Sequence, residues 1–135
     1  MRLDTPANHC FVCGPNNPIG LKVKFRLESE GESQVCRAEF TPAIEHSGYD
    51  SMTHGGIIFS LLDDVMANYH FLQGQVVVTA RMQIRYGASL PIGTPVALQA
   101  RQVEAKGRLK IMQASACMVE GGQLVASAEG RFMRR

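Results

Sequence analysis

Residues 54–64, HGGIIFSLLDD, combine two glycines at the predicted start of a helix with two carboxylates inside an otherwise apolar run. The backbone N–H groups of Gly55 and Gly56 would lie in the first helical turn, where they have no intrahelical acceptor and stand at the positive end of the helix dipole. Such amides can stabilise an oxyanion, and glycine lets the oxygen approach without meeting a Cβ atom. Taken alone, however, the pair is explained better by a tight turn from a loop into a helix.

Hydrophobic periodicity from His54 to about Leu72 predicts one long amphipathic helix. At about 100° per residue, seven apolar side chains fall on one broad arc that would pack on a sheet: Ile57, Ile58, Leu61, Leu62, Val65, Met66 and Tyr69. Asp63 falls on nearly the opposite side, on a face of small residues that includes Gly56, and Asp64 falls at the border of the apolar arc. An acidic pair on an ordinary surface helix would simply face water, but this helix is more apolar than such helices are.

The distance along the helix constrains how Gly56 and Asp63 could cooperate. Seven residues separate them, which corresponds to about 10 Å. A carboxylate that far away cannot act on a carbon polarised by the Gly56 amide of the same chain. If both residues serve one reaction, Asp63 must come from a second copy of the chain, and a two-fold homodimer that joins the two small-residue faces would form two such sites.

Alternating apolar and polar residues predict six strands around this helix. The predicted strands are residues 21–28, 34–41, 75–87, 96–107, 108–122 and 123–135, and residues 1–20 are predicted to form an irregular N-terminal arm. Val35 and Phe40 are predicted to point inward from the second strand. The order of elements predicts an α+β architecture in a single domain over residues 21–135, with the last four strands as an antiparallel meander and the helix on one face.

The composition of the 135-residue chain, with 45% hydrophobic and 19% charged residues, is that of a soluble globular protein. A net charge of +2 is too small to indicate a nucleic-acid or membrane-surface partner. No run reaches the roughly 18 apolar residues of a membrane span, and the first residues lack the apolar core of a signal peptide. We therefore expect a cytoplasmic protein in which all four cysteines are reduced thiols: Cys10, Cys13, Cys36 and Cys117.

The segment HGGIIFSLLDD resembles the start of the central helix in hotdog-fold acyl-CoA thioesterases, in particular those of the phenylacetate pathway. The resemblance covers roughly residues 21–133 and lies in the His-Gly-Gly, the Asp nine residues after the His, the order of elements and the chain length. It implies a hotdog fold, in which one long central helix is wrapped by a curved antiparallel sheet of about six strands. It also implies a homodimer or a dimer of dimers.

The resemblance implies hydrolysis of an acyl- or aroyl-CoA thioester, with no metal or other cofactor and with coenzyme A as part of the substrate. The Gly56 amide would bind the thioester oxygen with Gly55 beside it, and His54 would fix the substrate or the loop. Asp63 from the other subunit would act as general base or as nucleophile, two mechanisms that the sequence does not distinguish. Asp64 is the second candidate for this carboxylate.

Four further positions could contribute to such a site. Thr79 begins the strand after the helix, where some members carry a Ser or Thr that holds the attacking water, although a β-favouring Thr needs no such role. Phe59 could help to shape the acyl pocket. Lys106 and Arg108, at a predicted turn, could bind the phosphates of coenzyme A, although basic residues in turns are often only solvated.

One departure from the family pattern lies six residues before His54. Some relatives place an Asn there, beside the substrate carbonyl, whereas this chain has Gly48. Either another polar side chain from His46, Ser47 or Tyr49 replaces it, or the carbonyl is held less well.

The N-terminal segment HCFVCGPNNPIGL (residues 9–21) raises the question of a zinc site. It offers two or three soft ligands, whereas a structural zinc needs four, and no second Cys-x-x-Cys or His pair follows. We therefore predict no metal and expect the segment to pack near the acyl pocket, as a similar extension does in some of these thioesterases. Cys10 and Cys13 could be buried small apolar residues or, without support from a helix pattern, a redox pair.

Three other classes of function remain open from the sequence. A non-catalytic acyl-CoA-binding module on the same fold would have no need of Asp63. A hotdog dehydratase or hydratase would use a His with an Asp or Glu in motifs that this chain lacks. A zinc-knuckle nucleic-acid binder would need a basic face and stacking aromatic residues, and the chain has no Trp. The preferred acyl group, and the choice between dimer and tetramer, are not predicted.

Overall fold

The protein, seen in a computed structural model that describes residues 7–135, consists of six strands, one long helix and a single 3₁₀ turn within that range. The strands are β1 (Arg26–Glu30), β2 (Ser33–Phe40), β3 (Val77–Tyr86), β4 (Val96–Lys106), β5 (Leu109–Met118) and β6 (Leu124–Arg134). The helix α1 spans Gly55–Phe71, and the 3₁₀ turn spans Ile44–His46. The predicted α+β class and hotdog arrangement are confirmed. No helix in the described range is long and apolar enough to cross a bilayer.

The strands form one antiparallel sheet in the order β1-β2-β4-β5-β6-β3. The predicted meander is therefore confirmed only for β4 to β6, because β3 pairs with β6 rather than with β4. The reason is α1, which crosses the sheet between β2 and β3 and delivers β3 to the far edge. The place beside β2 is then free for β4, and the outer edge of β3 has no partner within residues 7–135.

The core lies between α1 and the concave face of the sheet. The predicted apolar arc is confirmed, since Leu61, Leu62, Val65 and Met66 are almost completely buried, with Ile58 also buried and Ile57 and Tyr69 partly so. Val35 and Phe40 are buried as predicted. Helix and sheet approach most closely at Gly130 on β6, where a Cβ atom would lie 2.6 Å from the Phe132 ring and 3.0 Å from Met66 Cε. This position therefore requires glycine.

The first strand begins later than predicted, at Arg26 rather than at Leu21. Residues 21–23 pair instead with the N-terminal segment, because Leu21 N donates to Phe11 O at 2.8 Å and Val23 N donates to Val12 O at 2.9 Å. Residues 7–14 are thereby held against the domain, whereas residues 1–6 of the predicted arm lie outside the described residues. The boundary between arm and domain at residue 20 stays a prediction.

His70 is buried at the C-terminal end of α1, a position that the amphipathic pattern does not predict. Its Nε2 lies 3.2 Å from Met112 Sδ. Burial, together with the nearby charge of Lys110, lowers the pKa of His70 to about 4. The neutral imidazole is therefore the form that the fold accommodates.

We predict that His70 makes stability pH-dependent in acid. Its folded-state pKa lies below the unfolded value of about 6.5, so the unfolded chain takes up the proton first and stability falls as the pH drops from about 6.5 towards 4. Between pH 7 and pH 5 the loss from this group should be about 1–2 kcal/mol. Urea unfolding at both pH values should show a smaller loss in His70→Gln than in the wild type. The exposed His9 supplies the control, since His9→Gln should keep the wild-type loss. An unchanged loss in His70→Gln contradicts the assignment.

Candidate active site

The start of α1 is built by His54, which is the N-cap residue with extended backbone angles (φ −60°, ψ 133°). Its Nδ1 accepts a hydrogen bond from Gly56 N at 2.8 Å, and its carbonyl oxygen accepts from Ile57 N and Ile58 N. A Cβ atom at Gly56 would lie only 3.0 Å from His54 Nδ1, so glycine is what lets the imidazole approach. His54 thus shapes the helix terminus, in keeping with its predicted role in fixing the loop.

The two glycine amides are consequently not equivalent. The N–H of Gly56, predicted as the oxyanion donor, is engaged by His54 and could serve a substrate only by giving up that bond. The N–H of Gly55, the first residue of the helix, has no intrahelical acceptor and no hydrogen bond to any other residue in the described chain. Gly55 is therefore the amide that this geometry leaves available to a ligand.

Tyr86, at the end of β3, completes the support of this helix terminus. Its hydroxyl donates to the Gly55 carbonyl oxygen at 2.7 Å, although 31 residues separate the two positions. Sequence reasoning missed Tyr86, because an exposed tyrosine at the end of a strand carries no local signal of such a contact.

The loop before α1 packs tightly around Gly48, the position at which some relatives have an Asn. A Cβ atom there would lie 3.2 Å from His54 Cα, so this loop path favours glycine. The suggested substitutes do not converge on the helix terminus: His46 Nδ1 accepts from Ala43 N, Ser47 Oγ donates to Ile44 O, and Tyr49 is 90% exposed. None of the three side chains hydrogen-bonds to His54, Gly55 or Gly56.

Asp63 lies on the face of α1 that is turned towards β3, where Thr79 Oγ1 donates to Asp63 Oδ1 at 2.7 Å. Partial burial raises the pKa of Asp63, and the hydrogen bond from Thr79 opposes this shift in part. A register shift in the pairing of β3 with β6 occurs directly after Thr79. Phe59 stands one helical turn before Asp63 on the same face and is 36% exposed. The structure thus brings Asp63 and Thr79 into contact at the unpaired edge of the sheet.

Asp64 points elsewhere, towards the N-terminal segment. Its Oδ1 accepts from Cys10 Sγ at 3.6 Å and its Oδ2 accepts from Asn68 Nδ2 at 3.0 Å. Burial raises the pKa of Asp64 to about 7. The Cys10 thiol has a lowered pKa, because the Cys13 thiol and the backbone amides of Cys13 and Val12 stabilise its thiolate. Asp63 and Asp64, adjacent in sequence, therefore occupy different environments.

The basic turn between β4 and β5 carries Lys106 and Arg108. Leu109 of β5 and Val78 of β3 both pair with Met133 of β6. The turn between β4 and β5 therefore lies at the end of the sheet that holds Thr79, two strands or about 10 Å from β3. At present Arg108 Nε donates to Arg134 O at 2.9 Å, and Lys106 Nζ lies 3.5 Å from a Glu104 carboxylate oxygen. Both side chains are exposed, and their predicted role in binding phosphates stays a prediction.

A search with protein-family models gave a match for residues 51–126, to the family described as the thioesterase superfamily. The chain belongs to the thioesterase superfamily. The matched residues include the start of α1, Asp63 and Thr79. A search of curated proteins gave no match.

Solved structures place this superfamily member among hotdog thioesterases. A thioesterase superfamily protein shares 28% identity and a TM-score of 0.83 over 93% of this chain, and this chain spans only 63% of its length. The PaaI protein of E. coli, from the phenylacetic acid degradation operon, shares 19% identity and a TM-score of 0.76 over 85% of this chain and 80% of its own. A hypothetical thioesterase of Streptococcus pneumoniae, solved with coenzyme A, shares 17% identity and a TM-score of 0.72, over 82% of this chain and 88% of its own.

We predict that alanine has different effects at the two glycines of α1. Both substitutions gain helix propensity, but only a Cβ atom at position 56 crowds His54 Nδ1, at 3.0 Å against 3.5 Å or more from the nearest atom at position 55. Gly56→Ala should therefore be less stable than Gly55→Ala by about 1 kcal/mol, the cost of losing an N-cap. Urea unfolding measures the difference. In a His54→Ala background the two variants should become equal, and equal stability with His54 present contradicts the capping role.

Proposed function

We propose that the protein hydrolyses an acyl- or aroyl-CoA thioester to the free acid and coenzyme A, with the Gly55 amide and Asp63 contributed by different subunits of a homodimer. The observation that carries the proposal is Asp63 itself, a partly buried carboxylate held by Thr79 at 2.7 Å beside an unpaired strand edge. A carboxylate with no cationic partner among residues 7–135 is a candidate base or nucleophile rather than part of an ion pair.

The need for a second subunit follows from distances along α1. Eight residues separate Gly55 from Asp63, about 12 Å of helix, so one chain cannot present both groups to one carbonyl carbon. The outer edge of β3 offers unpaired backbone groups next to Asp63, and such an edge favours pairing with another strand. A two-fold axis beside β3 would carry Asp63 of one chain towards the helix terminus of the other, and would do so twice.

The relatives support the same pair of residues. Variants of the Streptococcus pneumoniae thioesterase have been solved in which an Asp and a Thr, 16 positions apart in that chain, are each changed to Ala. Asp63 and Thr79 are also 16 positions apart. The coenzyme A in that protein favours an acyl-CoA substrate here. The similarity to PaaI and the His-Gly-Gly start favour the phenylacetate-pathway type, in which aryl and short acyl groups are both candidates.

The proposed reaction needs a proton acceptor and an oxyanion donor. The Gly55 N–H stabilises the oxygen of the thioester as it becomes negative, and Asp63 either takes a proton from the attacking water or attacks the carbonyl carbon itself. In both routes the carbon–sulfur bond breaks, water supplies the hydroxyl group of the acid, and a proton goes to the coenzyme A sulfur. Neither route uses a cofactor. Lys106 and Arg108 are placed to bind the nucleotide phosphates once their present contacts are exchanged.

The first test compares hydrolysis of a panel of acyl- and aroyl-CoA esters by the wild type, Asp63→Asn and Thr79→Ala. Removing the carboxylate should lower kcat by at least about 100-fold, and removing the Thr hydroxyl should lower it by less, about tenfold, because Thr79 only orients the carboxylate. Glu39→Gln, on the outer face of the sheet, is a matched control that should keep wild-type rates. Equal rates for the wild type and Asp63→Asn would remove Asp63 from the mechanism, and binding of the esters without any turnover would favour a non-catalytic acyl-CoA-binding module.

The second test asks whether two subunits share one site. Gly55→Pro deletes the proposed donor at the first helical position, where proline is well tolerated, and the extended backbone of His54 suits a following proline. Gly55→Pro and Asp63→Asn should each be nearly inactive. Unfolding and refolding the two together should restore roughly a quarter of wild-type activity, because about half of the dimers are mixed and each mixed dimer contains one intact site. Gly55→Ala keeps the N–H and should stay active. No recovery on mixing contradicts a shared site.

A further inference from the structure

Cys10, Cys13 and Asp64 form a cluster that the proposed hydrolysis does not use. The two Sγ atoms and a carboxylate oxygen all lie within 4.8 Å of one another. The sequence predicts no metal here because the N-terminal segment lacks enough ligands, but folding adds a carboxylate from α1. Two thiols and a carboxylate form the kind of ligand set that binds zinc-type cations.

The separations fit a single small cation. In a tetrahedral site with zinc–sulfur bonds of about 2.3 Å and zinc–oxygen bonds of about 2.1 Å, a sulfur and an oxygen ligand lie about 3.6 Å apart. The distance between Cys10 Sγ and Asp64 Oδ1 is 3.6 Å. Contraction of the remaining separations by about 1 Å, which side-chain rotation can supply, would complete the edges of the tetrahedron.

The turn that carries the thiols is fixed by the backbone. Gly14 N donates to Cys10 O at 2.9 Å and Cys10 N donates to Ala7 O at 3.0 Å. A Cβ atom at position 14 would lie 2.4 Å from Cys10 N, so the closed turn requires glycine there. Val12 is buried beneath the turn. The two thiols are therefore presented together before any ligand arrives.

The carboxylate at this turn has no positive charge to balance it. No Lys, Arg or His of residues 7–135 makes an ion pair with Asp64. Arg135 lines the adjoining cavity of about 220 Å³ without contacting Asp64 at ion-pair distance. A divalent cation would bind the carboxylate oxygen directly, and the thiol protons of Cys10 and Cys13 would leave to solvent as the two thiolates bind it.

Asn68 contacts two of the three side chains of the cluster. Its Nδ2 lies 3.0 Å from Asp64 Oδ2 and 3.8 Å from Cys13 Sγ, so one amide group orients both a carboxylate and a thiol. Residues that hydrogen-bond to metal ligands act in this way, by fixing the orientation of the ligands. The cavity beside the cluster, lined in part by Ala67 and Phe71, leaves room for a water molecule as fourth ligand.

We propose that Cys10, Cys13 and Asp64 bind one zinc-type divalent cation, with Asn68 as the positioning residue and water from the adjoining cavity as the fourth ligand. The cation fastens the N-terminal turn to the middle of α1. The cavity beside the cluster is lined in part by Val77 and Val78, directly before Thr79, but none of the three proposed ligands takes part in the proposed thioester hydrolysis.

The test is metal binding by the full chain, stripped of metal and kept reduced with a phosphine. Zn²⁺ titrated against a chromophoric chelator should bind with one ion per chain. Co²⁺ should give the near-ultraviolet sulfur-to-cobalt band and the visible bands of a tetrahedral thiolate site. Cys10→Ser, Cys13→Ser and Asp64→Asn should each bind on the order of 100-fold more weakly, and Asn68→Ala roughly tenfold more weakly. Zn²⁺ should raise the melting temperature of the wild type but not of Cys10→Ser.

Cys117→Ser is the matched control, since Cys117 is a free cysteine on β5 outside the cluster, and it should bind Zn²⁺ like the wild type. Circular dichroism checks that each variant is folded, and the cobalt spectrum of the wild type is informative without any variant. The proposal is overturned if the wild type gives no thiolate–cobalt band, or if Asp64→Asn binds Zn²⁺ as tightly as the wild type. Because no measurement here involves turnover, failure of the metal site and failure of the hydrolase proposal are distinguishable.

Discussion

The rotation of α1 about its own axis is the constraint on which the rest of the structure depends. Burial of Leu61, Leu62, Val65 and Met66 against the sheet fixes that rotation, because any turn of the helix would expose apolar area worth several kcal/mol in total. Once it is fixed, Asp63 and Asp64 point about 100° apart. One carboxylate faces Thr79 at the sheet edge and the other faces the turn of Cys10, so two neighbouring residues of the same type occupy two different environments.

The same helix resolves the question raised by its two initial glycines. The first amides of a helix have no intrahelical acceptor, and the Gly55 and Gly56 amides of α1 differ in their partners. The Gly56 amide is satisfied by the His54 side chain, which stabilises the first turn, and the Gly55 amide is left to a ligand. Tyr86 anchors the Gly55 carbonyl from β3 and so ties the position of the free amide to the strand that also carries Thr79. In each subunit β3 therefore fixes the Gly55 amide of one proposed site and the Asp63 carboxylate of the other.

Much of the secondary structure follows from local patterns in the sequence. The features that do not follow from them are contacts between segments far apart in the chain. Periodicity identifies α1 to within a residue at each end and most strands to within a few, because side-chain spacing is a local property. The pairing of β3 with β6 and the shortened β1 depend on where α1 leads the chain and on backbone bonds from Phe11 and Val12. The resemblance suggests that Thr79 holds the attacking water, whereas its contact with Asp63 is not predicted. The carboxylate beside Cys10 and Cys13 has no sequence signal either, because it joins segments about 50 residues apart.

Within residues 7–135 the single chain leaves the β3 edge and the Gly55 amide without hydrogen-bond partners, and leaves Asp63 and Asp64 without ion-pair partners. The β3 edge and Asp63 are neighbours, and the Gly55 amide is tied to the same strand through Tyr86. One two-fold partner and the substrates of the two shared sites would therefore satisfy all of these groups. Asp64 points about 100° away around the helix, towards Cys10 and Asn68, into a cavity that Val77 and Val78 of β3 also line. Desolvating a carboxylate without a counter-charge is costly. At Asp64 the fold reduces that cost by hydrogen bonds from Cys10 and Asn68 and by a pKa that burial raises to about 7, and the proposed cation would bind at the same carboxylate.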